Sequence, residues 1–141
     1  MRKISKIIIH CTATPECREV SVETVKDWHV KERGWSDIGY HFLITLDGEI
    51  EEGRPIERTG AHTRGHNFDS IGVAYVGGMD KDLKNSKDTR TEEQKEALED
   101  LLCTLKTLYS KAKVYGHRDF SDKDCPSFDA AEEYEWISNQ F

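Results

Sequence analysis

Residues 4–10 read I-S-K-I-I-I-H. Three consecutive isoleucines leave no polar face for solvent, which is the mark of a buried strand. Such a strand needs helices over its sheet, and the sequence downstream supplies them. Ser21 stands as an N-cap before Val22, Val25 and Trp28, which recur at helical spacing, and Gly34 can end that helix. Residues 40–46 and 49–52 read as the strands of a hairpin, with Asp47-Gly48 as a two-residue turn. Residues 71–76 form another strand that runs into Gly77 and Gly78. Thr91 and Gln94 make a capping-box pattern. Behind them Leu98, Leu101, Leu102, Leu105 and Leu108 recur at three and four, so this helix has one buried face. Residues 113–115 are a short strand leading directly into His117, and residues 130–138 form a last helix. This order predicts an α/β fold: a central mixed β-sheet of about five strands flanked by helices on both faces.

A chain of 141 residues fits a single domain, residues 1–141, with a hydrophobic core of its own. A formal net charge of -7 and the lack of any Lys/Arg run argue against a nucleic-acid backbone as partner. No apolar segment approaches the roughly 20 residues of a membrane helix. The apolar run at residues 7–9 is also too short for a signal-peptide core of about 7–15 residues. The expectation is a monomer, cytoplasmic as synthesised and without an integral membrane segment. Cys11, Cys17, Cys103 and Cys125 form no CxxC pair and read as reduced thiols, one of them a candidate ligand.

His10 ends the first strand and His117 follows the last short one, and pockets in such folds gather at strand ends. Cys125 lies in the loop after His117 and can fold back to the same point. Imidazole and thiolate both suit Zn²⁺; three protein ligands with an open fourth position is the catalytic arrangement, whereas a closed four-ligand site is structural. Spacing alone leaves two readings open, a His/His/Cys metal site or ordinary hydrogen-bonded histidines at strand ends. Strand alternation predicts that Cys11 faces away from His10, and His41 away from Tyr40. His62, His66 and Asn67 sit in a Gly-flanked loop of the kind that carries binding groups.

Four segments, IIIHCTAT (residues 7–14), DWHVKERGWSDIGYHFLITLDGEIEEGR (27–54), GAHTRGHNFDSIGVAYVGG (60–78) and GHRDFSDKDCPSFD (116–129), together resemble the zinc-dependent N-acetylmuramoyl-L-alanine amidase family. That family includes T7-type phage lysozymes and peptidoglycan-recognition proteins. The likeness spans nearly the whole chain in the right order and is close to the phage-type members. It implies one Zn²⁺ per chain held by His10, His117 and Cys125, with Tyr40 and Lys123 matching the catalytic tyrosine and lysine. His62 and Asn67 resemble positions that line the substrate groove. The implied reaction is hydrolysis of the amide between N-acetylmuramic acid and the first L-alanine of peptidoglycan or its muropeptide fragments.

The residue types suit that reaction. A lysine ammonium stabilises the negative oxygen of a tetrahedral intermediate, and a tyrosine hydroxyl can position water or donate to that oxygen. One departure stands out: some relatives carry a glutamate in the strand at residues 71–76, where this chain has Ala74, so a general base from that position is missing. The competing reading is a non-catalytic peptidoglycan receptor. Such members typically lack the cysteine ligand, and Cys125 is present here. The resemblance therefore implies a phage or prophage endolysin acting on the cell wall after release, or an enzyme acting on recycled muropeptides.

Overall fold

Ile7, Ile8 and Ile9 are fully buried because their strand, β1 (Lys6–Cys11), has a neighbour on each side and a layer over each face. The computed structural model describes residues 2–140. After β1 come β2 (Thr14–Pro15), α1 (Val22–Asp27), β3 (Phe42–Ile44), β4 (Ile50–Glu52), β5 (Ser70–Tyr75) and β6 (Gly78–Met79). Then follow α2 (Glu92–Leu108), β7 (Lys113–Gly116), α3 (Ala130–Glu133) and α4 (Glu135–Ser138). The main sheet has five strands in the order β4-β3-β5-β1-β7, with β3 and β4 antiparallel and the other pairs parallel. This is the mixed sheet that the sequence predicts.

Alternation along β1 and β5 divides the core. Ile7, Ile9, Ile71, Val73 and Tyr75 pack against Leu98, Leu102 and Leu105 of α2 and against Tyr134 and Ile137 near the C-terminus. Leu43, Ala74 and Val76 pack on the other face against Val25 of α1. Each fully buried leucine of α2 contributes about 1.5–3 kcal/mol relative to exposure. The predicted capping box forms as read: Gln94 N–H donates to Thr91 Oγ1 at 3.0 Å, and Thr91 N–H donates to Gln94 Oε1 at 2.9 Å. The Gln94 amide also donates to the carbonyls of Val76 and Ile44, which ties the start of α2 to the ends of β5 and β3. Ser21 caps α1 by accepting from Thr24 N–H. The helix then passes into a wider turn at Trp28–Glu32 and stops at Gly34, which takes the left-handed φ of +70° that a glycine tolerates.

Three predicted elements differ. The regular first hairpin strand begins at Phe42. His41 N–H still donates to Gly72 O and Gly53 N–H to His41 O, but Tyr40 packs on the α1 face and Phe42 on the α2 face, so the two-residue alternation is broken between them. Its turn is a three-residue loop, residues 46–48, closed by Gly48 N–H donating to Thr45 O, with Gly48 at φ +84°. The last helix is broken at Tyr134. That ring is drawn into the core, where its hydroxyl accepts from the Arg90 guanidinium at 2.9 Å. The short parallel pair β2–β6 carries no sequence signal of its own and forms where the chain leaves β1 and β5 side by side.

Candidate metal centre

β1 and β7 are parallel neighbours with Ile9 opposite Gly116, so the next residue on each chain, His10 and His117, emerges at the same end of the sheet. The two rings lie 4.5 Å apart between centroids. Cys125 returns to them through a loop pinned at several points. Arg118 N–H donates to Cys125 O at 2.7 Å, Tyr75 Oη donates to Pro126 O at 2.6 Å, and Ser127 Oγ donates to Gly78 O at 2.9 Å. Cys11 N–H donates to Cys125 Sγ itself at 3.2 Å. One donor atom from each of His10, His117 and Cys125 lies within 4.8 Å of the others, and among the described residues no fourth His, Cys, Asp or Glu joins them.

The donor set fits zinc. Bond lengths of about 2.05 Å to nitrogen and 2.3 Å to sulfur at a tetrahedral angle put two such donors about 3.6 Å apart. His10 Nδ1 and Cys125 Sγ are 3.8 Å apart. Burial, followed by the nearby His62, His117 and Lys123, holds His10 well below its ordinary pKa, and burial and Lys123 lower His117. Both imidazoles are therefore neutral and ready to ligate at neutral pH. The Cys11 side chain and burial push the Cys125 thiol up, so a cation is what would hold this sulfur as thiolate.

The three donors sit in a cleft of about 640 Å³. Tyr40 lies over the floor, its ring 5.1 Å from His10 and 5.4 Å from His29. Burial, with Cys125 and Cys11 nearby, raises its phenol pKa, so it remains a hydrogen-bond donor at neutral pH. Lys123 reaches the rim from an exposed loop. Arg33 and Arg64 also line the cleft, and no Asp or Glu does among the described residues, in a chain whose net charge is -7.

His62 and Asn67 also line the cleft, and each makes contacts within the protein. His62 Nδ1 lies 2.8 Å from His10 Nε2, and His62 Nε2 lies 3.2 Å from Ser70 Oγ. Asn67 Oδ1 accepts from the N–H groups of His62 and Thr63 at 3.0 and 2.9 Å, which fixes the loop that presents them. Cys11 points its side chain into the α2 face of the core, as alternation predicts, although its main-chain N–H reaches Cys125. His41 overturns the alternation argument. Its ring stands 5.9 Å from that of His62, on the same side as Tyr40, because the alternation is broken between Tyr40 and Phe42. The sequence reading gave no role to His41, Thr63 or Gly72. A lone glycine inside the apolar strand at residues 71–76 was the available signal, since it marks a close approach by another group.

The family profile described as N-acetylmuramoyl-L-alanine amidase matches residues 1–128. The chain belongs to that amidase family. Among curated relatives, the amidase chain is 43% identical to the endolysin of Klebsiella phage KP32 over 128 residues, 91% of this chain and 83% of that protein. It is 43% identical to the endolysin of Escherichia phage T7 over 123 residues, 87% of this chain and 80% of that one. Among solved structures, the N-acetylmuramoyl-L-alanine amidase LysC from Clostridium intestinale URNW superposes with a TM-score of 0.79 at 29% identity, covering 96% of this chain and 83% of the other. No helix among the described residues of the amidase chain is long and apolar enough to cross a membrane.

Proposed function

We propose that this chain is a zinc-dependent N-acetylmuramoyl-L-alanine amidase of the phage endolysin kind, which hydrolyses the amide between N-acetylmuramic acid and L-alanine in peptidoglycan. The observation that carries this reading is the convergence of His10, His117 and Cys125 on one point of a cleft, in a chain of this family. These three residues would hold the ion. When bound, zinc supplies an activated water near neutral pH and polarises the scissile carbonyl.

The other residues divide the remaining work. Tyr40 donates a hydrogen bond from its protonated phenol, either to the carbonyl oxygen or to the attacking water. Lys123 places an ammonium where the oxygen of the tetrahedral intermediate becomes negative. Ala74 is fully buried and apolar, so no carboxylate enters from β5, and Tyr40 and Lys123 are the candidates for passing a proton to the leaving amine. Arg33 and Arg64 give the cleft a positive field that suits a stem peptide bearing carboxylates.

The test is direct. Purified cell wall incubated with the protein should yield new L-alanine amino termini. A chelator should abolish the release, and added zinc should restore it. Wall that is bound without new amino termini, or release that ignores the chelator, would overturn the proposal.

A further inference from the structure

The contact between His10 and His62 has a definite chemical sense. His10 turns Nδ1 towards Cys125 Sγ and Nε2 towards His62 Nδ1, at 3.8 and 2.8 Å. An imidazole that gives the Nδ1 lone pair to a cation must carry its proton on Nε2. That proton then points at His62 Nδ1, which has to be the accepting nitrogen. His62 in turn keeps its proton on Nε2, where Ser70 Oγ lies 3.2 Å away to accept it. One set of tautomers thus satisfies the whole row, from the candidate metal position to the start of β5.

Three further features hold His62 in this place. Its ring lies on the backbone of β5 at Gly72, where any Cβ would come within 2.6 Å of His62 Cδ2 and 2.7 Å of Cγ. Asn67 Oδ1 fixes the His62 and Thr63 amides. Thr63 Oγ1, 3.0 Å from His62 Nδ1 and 3.3 Å from His10 Nε2, is a second and longer partner for the same proton.

We infer that His62 is a positioning residue for His10: its Nδ1 accepts the His10 Nε2 proton, fixing the tautomer and ring orientation that present Nδ1 to the metal, and Gly72 is the position on β5 that admits it. The sequence reading placed His62 against substrate, and this inference gives it a different task. It rests on the zinc-amidase reading above. Partners of this kind on ligating histidines raise ligand basicity, and their loss costs roughly 10–100-fold in metal affinity.

Zinc affinity, measured on the zinc-loaded full chain by competition with a chromophoric chelator, decides the matter without reference to activity. His62→Leu fills the space with no acceptor and should weaken zinc binding by about 10–100-fold. His62→Asn can set its Oδ1 where Nδ1 accepts and should recover most of that loss. Gly72→Ala should weaken binding in the wild type and add little beside His62→Leu, because both act through the same ring. Equal zinc affinity in the Leu and Asn variants would overturn the inference, as would wild-type affinity in His62→Leu together with a raised KM, which would make His62 a substrate contact. A wild-type chain that holds no zinc would remove the amidase reading and this inference together, whereas equal affinities in the two variants would remove only the role given to His62.

Discussion

Mild acid is expected to destabilise this chain, and two of the histidines outside the metal triad show the scale. His29 Nδ1 accepts from Gly39 N–H. His41 Nδ1 accepts from Gly72 N–H while its Nε2–H donates to Arg58 O. Both rings are buried. Burial, aided by Arg33 and Arg54, lowers His29 to about 4. Burial outweighs the Arg58 carbonyl and, with Arg2 and Arg54, lowers His41 to about 4. The unfolded chain binds a proton at each ring near pH 6.5 that the folded chain refuses. Stability is therefore intact above that pH and falls as the pH drops towards 4. At pH 5 the loss is about 2 kcal/mol per ring and about 4 kcal/mol for the pair, against a total of about 5–15 kcal/mol for a domain. Carboxylates add nothing in this window. Glu133, held low by its Arg90 hydrogen bonds against burial, loses its contribution only below the ordinary carboxylate range. Urea unfolding at a series of pH values between about 7 and 5 reads the slope. His41→Gln should reduce the fall across this window by about 2 kcal/mol, or about 1 kcal/mol per pH unit. An unchanged slope in that variant would refute the reasoning, since His41 would then not be the neutral buried group described.

Cys125→Ser should lose most bound zinc, as measured by metal analysis, because a hydroxyl replaces the one sulfur donor; full retention would break the ligand assignment. Lys123→Ala should lower turnover by about 10²–10³-fold with zinc content unchanged, measured as amine release from cell wall; loss of metal instead would assign Lys123 to the metal site. Arg90→Ala should cost about 2–3 kcal/mol in thermal or urea unfolding, a figure reduced for the partial exposure of Asp88 and Glu133. Arg90 is buried, bridges those carboxylates and lies 3.4 Å from the centre of the Phe128 ring. A loss under about 0.5 kcal/mol would show that this cluster is mere surface pairing.

The sequence made the framework legible where local chemistry and tertiary packing agree. The isoleucines of β1, the Ser21 cap and the Thr91/Gln94 box stand in the structure as read. It misled where a single side chain overrules the local pattern. Tyr134 breaks a helix because its hydroxyl finds Arg90, a partner on another element that no window of sequence contains. His41 and Tyr40 share a face because the two-residue period breaks before Phe42 while the main chain stays paired, an irregularity that the residue types there do not announce. The metal candidates were legible as residue types at strand ends, but their meeting depends on β7 pairing with β1, a fact of topology rather than spacing. The contacts of His62 were the least visible, since they rest on Gly72, whose message is only the absence of a side chain.

The loop carrying Cys125 is fastened by main-chain and hydroxyl contacts from Arg118, Tyr75 and Ser127 that make no use of its sulfur, which itself meets only Cys11 and His10 among the hydrogen-bonding contacts of the described residues. The two imidazoles belong to a rigid plate, and the third donor is a replaceable fitting mounted beside it. Ion preference in this architecture can therefore be retuned at residue 125 alone: a carboxylate there would favour harder ions, with the plate left as it stands.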